Sequence, residues 1–171
     1  MSEQTSVGTS KAAVFWPTFI VVYAADFISK RLIVNSLSPA YVPHRVIGDF
    51  VRFTLAYNRD AAMGLSLGEY SRTGFTVTAA AVLVVLFVLY KRTPATTLTS
   101  VAALAMIAGG ALGNLTDRLR SSMGVVDFID VGSGTVRFWT FNLADAAVTC
   151  GAILLAVVSM RREKSEQRIV P

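Results

Sequence analysis

The sequence predicts a membrane all-α four-helix bundle that carries a small extracytoplasmic β-sheet. Of its 171 residues 53% are hydrophobic and 16% are charged, whereas a soluble domain carries about 25% charged residues. Four windows approach the roughly 20 apolar residues that a helix needs to cross a bilayer. A further segment alternates apolar and polar residues, as a half-buried strand does. The length suits a single integral membrane domain over residues 1–171.

Each predicted span is an apolar run with few ionisable residues. The spans cover residues 12–34, 72–90, 98–118 and 141–160. The first span could be mistaken for a cleaved signal peptide, but Asp26, Lys30 and Arg31 lie where a small-residue cleavage site is required. We therefore interpret it as a retained helix. In the fourth span Asp145 is the only charged residue.

The outer β-rich segment is expected at about residues 40–70. Within it, residues 49–58 alternate, which predicts a half-buried strand. The apolar face of that strand carries Val51, Phe53, Leu55 and Tyr57. Residues 134–139 are a weaker strand candidate on the same side of the membrane.

An even number of spans places both termini on one side of the membrane. Seven basic residues lie on that side and nine on or near the other, so their number alone does not fix the orientation. The densest basic clusters, at 91–92 and 161–162, directly adjoin helix ends on the terminal side. The sequence therefore predicts cytoplasmic termini, with the connections 35–70 and 119–140 on the extracytoplasmic face.

This topology gathers the intramembrane polar residues at one depth. They are Asp26, Lys30, Asn114, Asp117, Arg118, Asp127, Asn142 and Asp145. Ionisable groups are costly at membrane depth and commonly mark functional sites. The alternative is that they only reach the interface and cap helices, as Asn142 or Asp145 would near a helix start. Asp26 with Lys30, and Asp117 with Arg118 or Arg120, are expected to form structural ion pairs.

The residue inventory favours carboxylate chemistry. His44 is the single histidine, which excludes most metal sites. The pattern Gly-x-Ser-x-Gly around Ser66 lacks the strand–turn–helix context of a serine nucleophile. Two adjacent aspartates can share one proton, polarise a water and protonate a leaving amine. Asp127 and Asp145 are the best candidates, and we expect no metal, nucleotide or redox cofactor. Basic residues scattered among apolar runs do not favour nucleic acid as a partner.

Three segments, in this order and spacing, resemble lipoprotein signal peptidase, also called signal peptidase II. They are GGALGNLTDR at 109–118, VVDFI at 125–129 and FNLAD at 141–145. Asn58 with Ala61 and Ala62 resembles the family's Asn-x-Gly-Ala-Ala motif, although Asp60 replaces its usual glycine. Phe27 stands where glutamine often follows the helix 1 aspartate. The resemblance extends from residue 26 to 151, most of the chain.

The resemblance implies an aspartic endopeptidase of the bacterial inner membrane. Its substrates would be diacylglyceryl-modified prolipoproteins, cut before the lipidated cysteine. The implied catalytic residues are Asp127 and Asp145. The residues implied to support the dyad or to orient substrate are Asn58, Asn114, Arg118 and Asn142, and those with a structural role are Asp26, Lys30 and Asp117. The expected partners are this substrate and membrane lipid, and we expect a monomer.

Two other functions fit parts of the same pattern. A small ion or proton transporter would also bury Asp, Asn and Arg, but it needs polar residues through the whole bundle. A catalytically silent assembly factor would use its outer sheet to bind partners and would tolerate Asp127→Asn. For the peptidase, either 66–73 or the glycine-containing segment 119–134 is a candidate for closing over substrate.

Overall fold

The computed structural model describes residues 10–59 and 68–167, which form four long helices and one four-stranded antiparallel sheet. The helices are α1 (Lys11–Ser36), α2 (Ser71–Arg92), α3 (Leu98–Arg120) and α4 (Leu143–Gln167). Each overlies a predicted span, and all four are long and apolar enough to cross a membrane. The predicted membrane helix bundle with a small sheet is confirmed.

Helix α3 lies at the centre of the bundle and packs against the other three helices. Its glycines permit this, because small residues let membrane helices approach closely. A Cβ atom on Gly109 would lie 2.9 Å from Phe19 O in α1, and one on Gly110 would lie 2.5 Å from Ala144 O in α4. The outward faces of the helices are apolar and exposed, as lipid contact requires.

The bundle end opposite the sheet is packed almost entirely with apolar side chains. Its buried cluster contains Phe15, Leu86, Tyr90, Val101, Leu104, Ala105 and Ala108. Lys11 Nζ donates to the carbonyl oxygens of Tyr90, Lys91 and Thr93 at 3.0–3.1 Å. This lysine therefore caps the carboxyl end of α2, where a cation is favoured by the helix dipole.

The sheet has the order β1 (Pro43–Ile47), β2 (Val51–Asn58), β3 (Val125–Ser133) and β4 (Val136–Arg137). Strand β2 confirms residues 51–58 of the strand predicted over 49–58, while residues 48–50 form the turn before it. Leu55 on its apolar face is buried, and Phe53 and Tyr57 pack beside it. The same cluster includes Ile33 of α1 and the β3 residues Val126 and Phe128, so it seats the sheet on the end of α1.

Most of the segment 119–134, one of the two candidate closing segments, is regular secondary structure. Residues 125–133 form β3, which pairs with β2 on one side and β4 on the other. Its apolar run Val125-Val126-Asp127-Phe128-Ile129 is mostly buried, and Val126 and Phe128 pack in the cluster between the sheet and α1. Of the candidate 134–139 strand, only Val136–Arg137 is paired in β4.

Several sequence-level candidates lie outside the described residues. They are Asp60, Ala61, Ala62 and the Ser66 of the Gly-x-Ser-x-Gly pattern. The start of the second candidate closing segment, 66–73, also lies there. Residues 68–70 form a single 3₁₀ turn that leads into α2.

Candidate active site

The structure brings Asp127 and Asp145 to the same cavity from different elements. Asp127 lies on β3 and is 4% exposed. Asp145 lies in the first turn of α4. Both line a cavity of about 470 Å³ at the sheet end of the bundle. A strand that crosses the mouth of the bundle and a helix that begins beneath it thus supply one carboxylate each.

The start of α4 orients Asp145 through a reciprocal cap. Asn142 is the residue before the helix, and its Oδ1 accepts the Asp145 N–H at 2.9 Å. In return, Asp145 Oδ2 accepts the Asn142 N–H at 3.2 Å. This is the capping-box arrangement at a spacing of three residues. The helix-capping role that the sequence suggested for Asn142 and Asp145 is therefore present. The two hydrogen bonds hold the side chain of Asp145 in place at the cavity.

Asn142 also joins the two carboxylates. Its side chain is fully buried, and its Nδ2 donates to Asp127 Oδ1 at 2.7 Å. The same nitrogen lies 3.1 Å from Asn114 Oδ1. One buried amide therefore contacts Asp127 through its nitrogen and the Asp145 backbone through its oxygen.

Asn58 holds the other oxygen of Asp127 from the end of β2. Its Nδ2 donates to Asp127 Oδ2 at 3.1 Å. Gly124, just before β3, has φ +98° and packs so closely on the Asn58 carbonyl that a Cβ atom would overlap it. Only glycine adopts that backbone conformation readily. The entry into β3 and the end of β2 are thereby held together, and with them the Asn58–Asp127 contact.

A second set of groups supports Asp145 from inside the bundle. Asn114 Nδ2 donates to Asp145 Oδ1 at 2.8 Å. Asn114 Oδ1 accepts from Lys30 Nζ at 2.9 Å. The Lys30 ammonium group also contacts Asp26 Oδ2 at 2.8 Å and Asp117 Oδ2 at 2.9 Å. The expected Asp26–Lys30 pair is present, and Asp117 of α3 is bound by Lys30, which reaches across to it from α1.

Asp26 and Asp117 each also accept a backbone hydrogen bond from the elements that carry the dyad. Asp26 Oδ1 accepts the N–H of Ala144 in the first turn of α4 at 2.9 Å. Asp117 Oδ2 accepts the N–H of Val126, next to Asp127, at 3.2 Å. No residue pattern indicates these contacts, since a backbone donor has no residue-type signature. A buried helix start needs such acceptors for its unpaired N–H groups.

Arg118 lines the same cavity as the two carboxylates. Its Nη1 donates to the Asn114 carbonyl at 3.4 Å, which directs the side chain back along α3. The positive charge of the Arg118 guanidinium group is attracted by the negative charges of the Asp145 and Asp127 carboxylates. A permanent cation thus lies beside a pair of acids, where it can bind a carbonyl oxygen or stabilise negative charge.

The environment of Asp127 favours its protonated form. Burial, and secondarily the charge of Asp145, raise the pKa of Asp127 to about 7. The hydrogen bonds from Asn58 and Asn142 act in the opposite direction, because they stabilise the carboxylate. Asp127 is therefore able to hold a proton near neutral pH.

Two cavities meet at Asp127. The cavity shared with Asp145 extends along α4 as far as Cys150, and its wall includes Phe138, Trp139 and Val148. A second cavity, of about 660 Å³, lies against the outer sheet and is lined by Tyr41, Tyr57, Asn58, Arg59, Met123 and Asp127, among others. An extended chain that occupied both would pass the carboxylate at their junction.

The chain is similar to known membrane proteins over most of its length. The family model described as Signal peptidase (SPase) II matches residues 18–161. A protein named lipoprotein signal peptidase in Streptomyces coelicolor is 40% identical over 159 residues, which are 90% of this chain and 74% of that protein. One of the same name in Syntrophomonas wolfei is 37% identical, over 90% of this chain and 97% of that protein.

A solved structure supports the same relationship. It is a bacterial membrane enzyme determined by the in meso method at 2.3 Å resolution. It superposes with a TM-score of 0.78 at 27% sequence identity, over 91% of this chain and 92% of the other.

Proposed function

The chain belongs to the signal peptidase II family of lipoprotein-processing membrane proteases, and from that premise we propose that it is an aspartic endopeptidase. Its proposed reaction is removal of the signal peptide from a diacylglyceryl-modified prolipoprotein, by cleavage before the lipidated cysteine. The observation that carries the proposal is the placement of Asp127 and Asp145 on one cavity, with Asn142 hydrogen-bonded to both residues.

The proposed chemistry follows from the unequal environments of the two acids. At neutral pH one proton is shared, with Asp127 able to retain it and Asp145 supported by donors from Asn114 and the Asn142 backbone. The charged carboxylate removes a proton from a water that attacks the scissile carbonyl, and the acid form donates to the departing amine. Arg118 would orient a substrate carbonyl beside the dyad.

The two cavities suggest how a substrate would lie. The apolar signal peptide and the acyl chains would occupy the cavity that extends along α4 between the membrane-spanning segments. The polar region after the cleavage site would leave through the outer cavity beside β2. The lipid of the substrate would then hold the scissile bond at the depth of Asp127.

This reaction requires a defined orientation. We propose that the termini are cytoplasmic and that the sheet and the dyad face the extracytoplasmic side of the bacterial inner membrane. The basic residues at the far ends of α2 and α4, namely 91–92 and 161–162, support that orientation. The test replaces Arg45 on the exposed strand β1 by cysteine (Arg45→Cys) in a Cys150→Ser background and applies a membrane-impermeant cysteine-reactive label from outside intact cells. Labelling in intact cells is the expected result. Labelling only after the membrane is opened would show that the protein has the opposite orientation in the membrane.

The substrate claim is tested with the purified protein in detergent. It is incubated with a diacylglyceryl-modified prolipoprotein and, separately, with the same chain lacking the lipid. Mass spectrometry of the products should show one cut, directly before the modified cysteine, and little turnover of the unlipidated chain. Equal cleavage of both substrates, or a cut elsewhere, would refute the proposed specificity.

The assembly-factor and transporter alternatives make different predictions in the same preparation. A folded protein that leaves several lipidated substrates intact would favour the assembly factor. Transport needs a polar path through the whole bundle. In the part of the chain that the structure describes, the charged network of Asp26, Lys30 and Asp117 lies at the sheet end of the bundle. Apolar side chains fill the opposite end.

A further inference from the structure

A third cavity at the sheet end lies apart from the dyad, between the ends of α1 and α3. It has a volume of about 260 Å³. Its wall includes Phe27, Lys30 and Arg31 from α1, and Asp117 and Arg120 from α3. Neither Asp127 nor Asp145 is among its lining residues. It opens where two membrane-spanning helices emerge beside the sheet.

Two arginines flank one aromatic ring at this cavity. The guanidinium carbon of Arg31 lies 5.6 Å from the centre of the Phe27 ring, and that of Arg120 lies 5.4 Å from it. Among the side chains that the structure describes, neither guanidinium has a hydrogen-bond acceptor or an ion-pair partner. Their hydrogen-bond donors are therefore available, and the shared ring holds both groups at the cavity.

The charge at this cavity is not balanced by the protein. Its lining contains the cations Lys30, Arg31 and Arg120 against the single carboxylate of Asp117. Asp117 is already bound to Lys30 at 2.9 Å. Asp26 also binds Lys30, at 2.8 Å, so these five groups carry one net positive charge. The two guanidinium groups lie at the edge of a low-dielectric region, where screening by water is weak. An anion with several acceptor oxygens would relieve their repulsion.

We propose that this cavity binds the phosphate headgroup of an anionic phospholipid. Arginine forks match phosphate oxygens geometrically and can bind them through two parallel hydrogen bonds. A lipid is favoured over free phosphate because apolar surface continues from the cavity into the membrane. Tyr23 stacks on Phe27 one helical turn deeper, with 6.2 Å between ring centres, and Leu119 beside Arg120 is 62% exposed.

The test of this site does not use turnover, so its outcome does not depend on the proposed peptidase activity. The protein is purified in detergent, loaded with phosphatidylglycerol or with phosphatidylcholine of the same acyl chains, and examined by native mass spectrometry. We expect severalfold higher retention of phosphatidylglycerol. The R31Q/R120Q variant should lower it to the phosphatidylcholine level, and each single change should lower it partway.

The control variant R45Q/R92Q removes the same charge from the outer sheet and from the far end of α2. It should retain phosphatidylglycerol as the unmodified protein does. Unchanged retention in R31Q/R120Q, or an equal loss in both double variants, would overturn the proposal. Excess inorganic phosphate should leave most of the bound lipid in place, whereas complete displacement would identify a free-anion site instead. Thermal unfolding in lipid-free detergent checks that R31Q/R120Q is folded.

Discussion

The two ends of the helix bundle are held together by different interactions. At the end away from the sheet, Phe15, Tyr90 and Leu104 pack in an apolar cluster, and Lys11 binds backbone carbonyls. At the sheet end, Asp26 and Lys30 are almost fully buried and bonded to each other and to α3 and α4. The first arrangement resists small changes, whereas the second depends on every partner being present.

This difference explains why the charged network marks the functional end. Replacing a buried ion pair by apolar residues is often neutral or stabilising, so such a network is weak evidence of selection for stability alone. Here its hydrogen bonds reach the backbone of α4 beside Asp145 and that of β3 beside Asp127. The network therefore positions the two proposed catalytic carboxylates.

The largest expected contrast between the ends comes from removing one lysine at each. Lys30→Met leaves Asp26 and Asp117 without their cation and should lower the free energy of unfolding by about 3–5 kcal/mol. Lys11→Met removes bonds only to carbonyls at a helix end and should cost about 1–2 kcal/mol. Denaturant unfolding in detergent measures both. Equal losses would show that the two ends do not differ as described.

Adding one methyl group at each end sharpens the comparison. The Cβ of Gly113→Ala would overlap Asp26 Oδ2, while that of Gly151→Ala would lie 2.8 Å from Ile107 Cγ1, farther from the dyad. Each change should cost about 1–3 kcal/mol through overpacking. Only Gly113→Ala should also lower kcat, by about 10- to 100-fold, because it displaces Asp26 from the start of α4. Comparable kcat values for the two folded variants would contradict this.

The smallest expected effect concerns pH. The raised pKa means that Asp127 retains its proton up to about pH 7, so kcat/KM should fall above that pH as the shared proton is lost. Asn58→Ala removes a hydrogen bond that stabilises the carboxylate. It should raise the pH at which kcat/KM begins to fall, which is the alkaline limb of the pH profile, by up to about one pH unit.

Thr54→Ala is the matched control for the pH experiment. It removes a hydrogen bond to Asp130 Oδ2, of 3.1 Å, from the same strand pair. Its alkaline limb should stay where it is in the unmodified protein. A limb that moves equally in both variants, or a downward shift in Asn58→Ala, would refute the assignment to Asp127.

Much of this architecture follows from patterns within single segments. Apolar runs identified the four helices, and alternation identified β2. The strand β3 was harder to recognise, because a short apolar run interrupted by Asp127 has no period that separates it from a connection. No strand was predicted here, and the β-branched Val125 and Val126 at its start are the signal that could have indicated one.

The contacts that no local pattern could supply are those between distant elements. Lys30 meets Asp117 although they are on different helices, whereas helical spacing pointed to a basic neighbour on α3 itself. The Asp26 bond to the Ala144 N–H depends on how closely α1 approaches α4. Such contacts follow from the packing of the whole bundle, which the glycines of α3 determine.

The most direct test of the central claim is a kinetic comparison of Asp127→Asn, Asp145→Asn and the double variant on a diacylglyceryl-modified prolipoprotein. If the two acids act as one unit, each single change should lower kcat/KM by about a thousandfold or more, and the double change should lower it no further. Circular dichroism and thermal unfolding confirm folding. Substantial cleavage by either folded single variant, or losses that multiply in the double variant, would contradict a shared dyad.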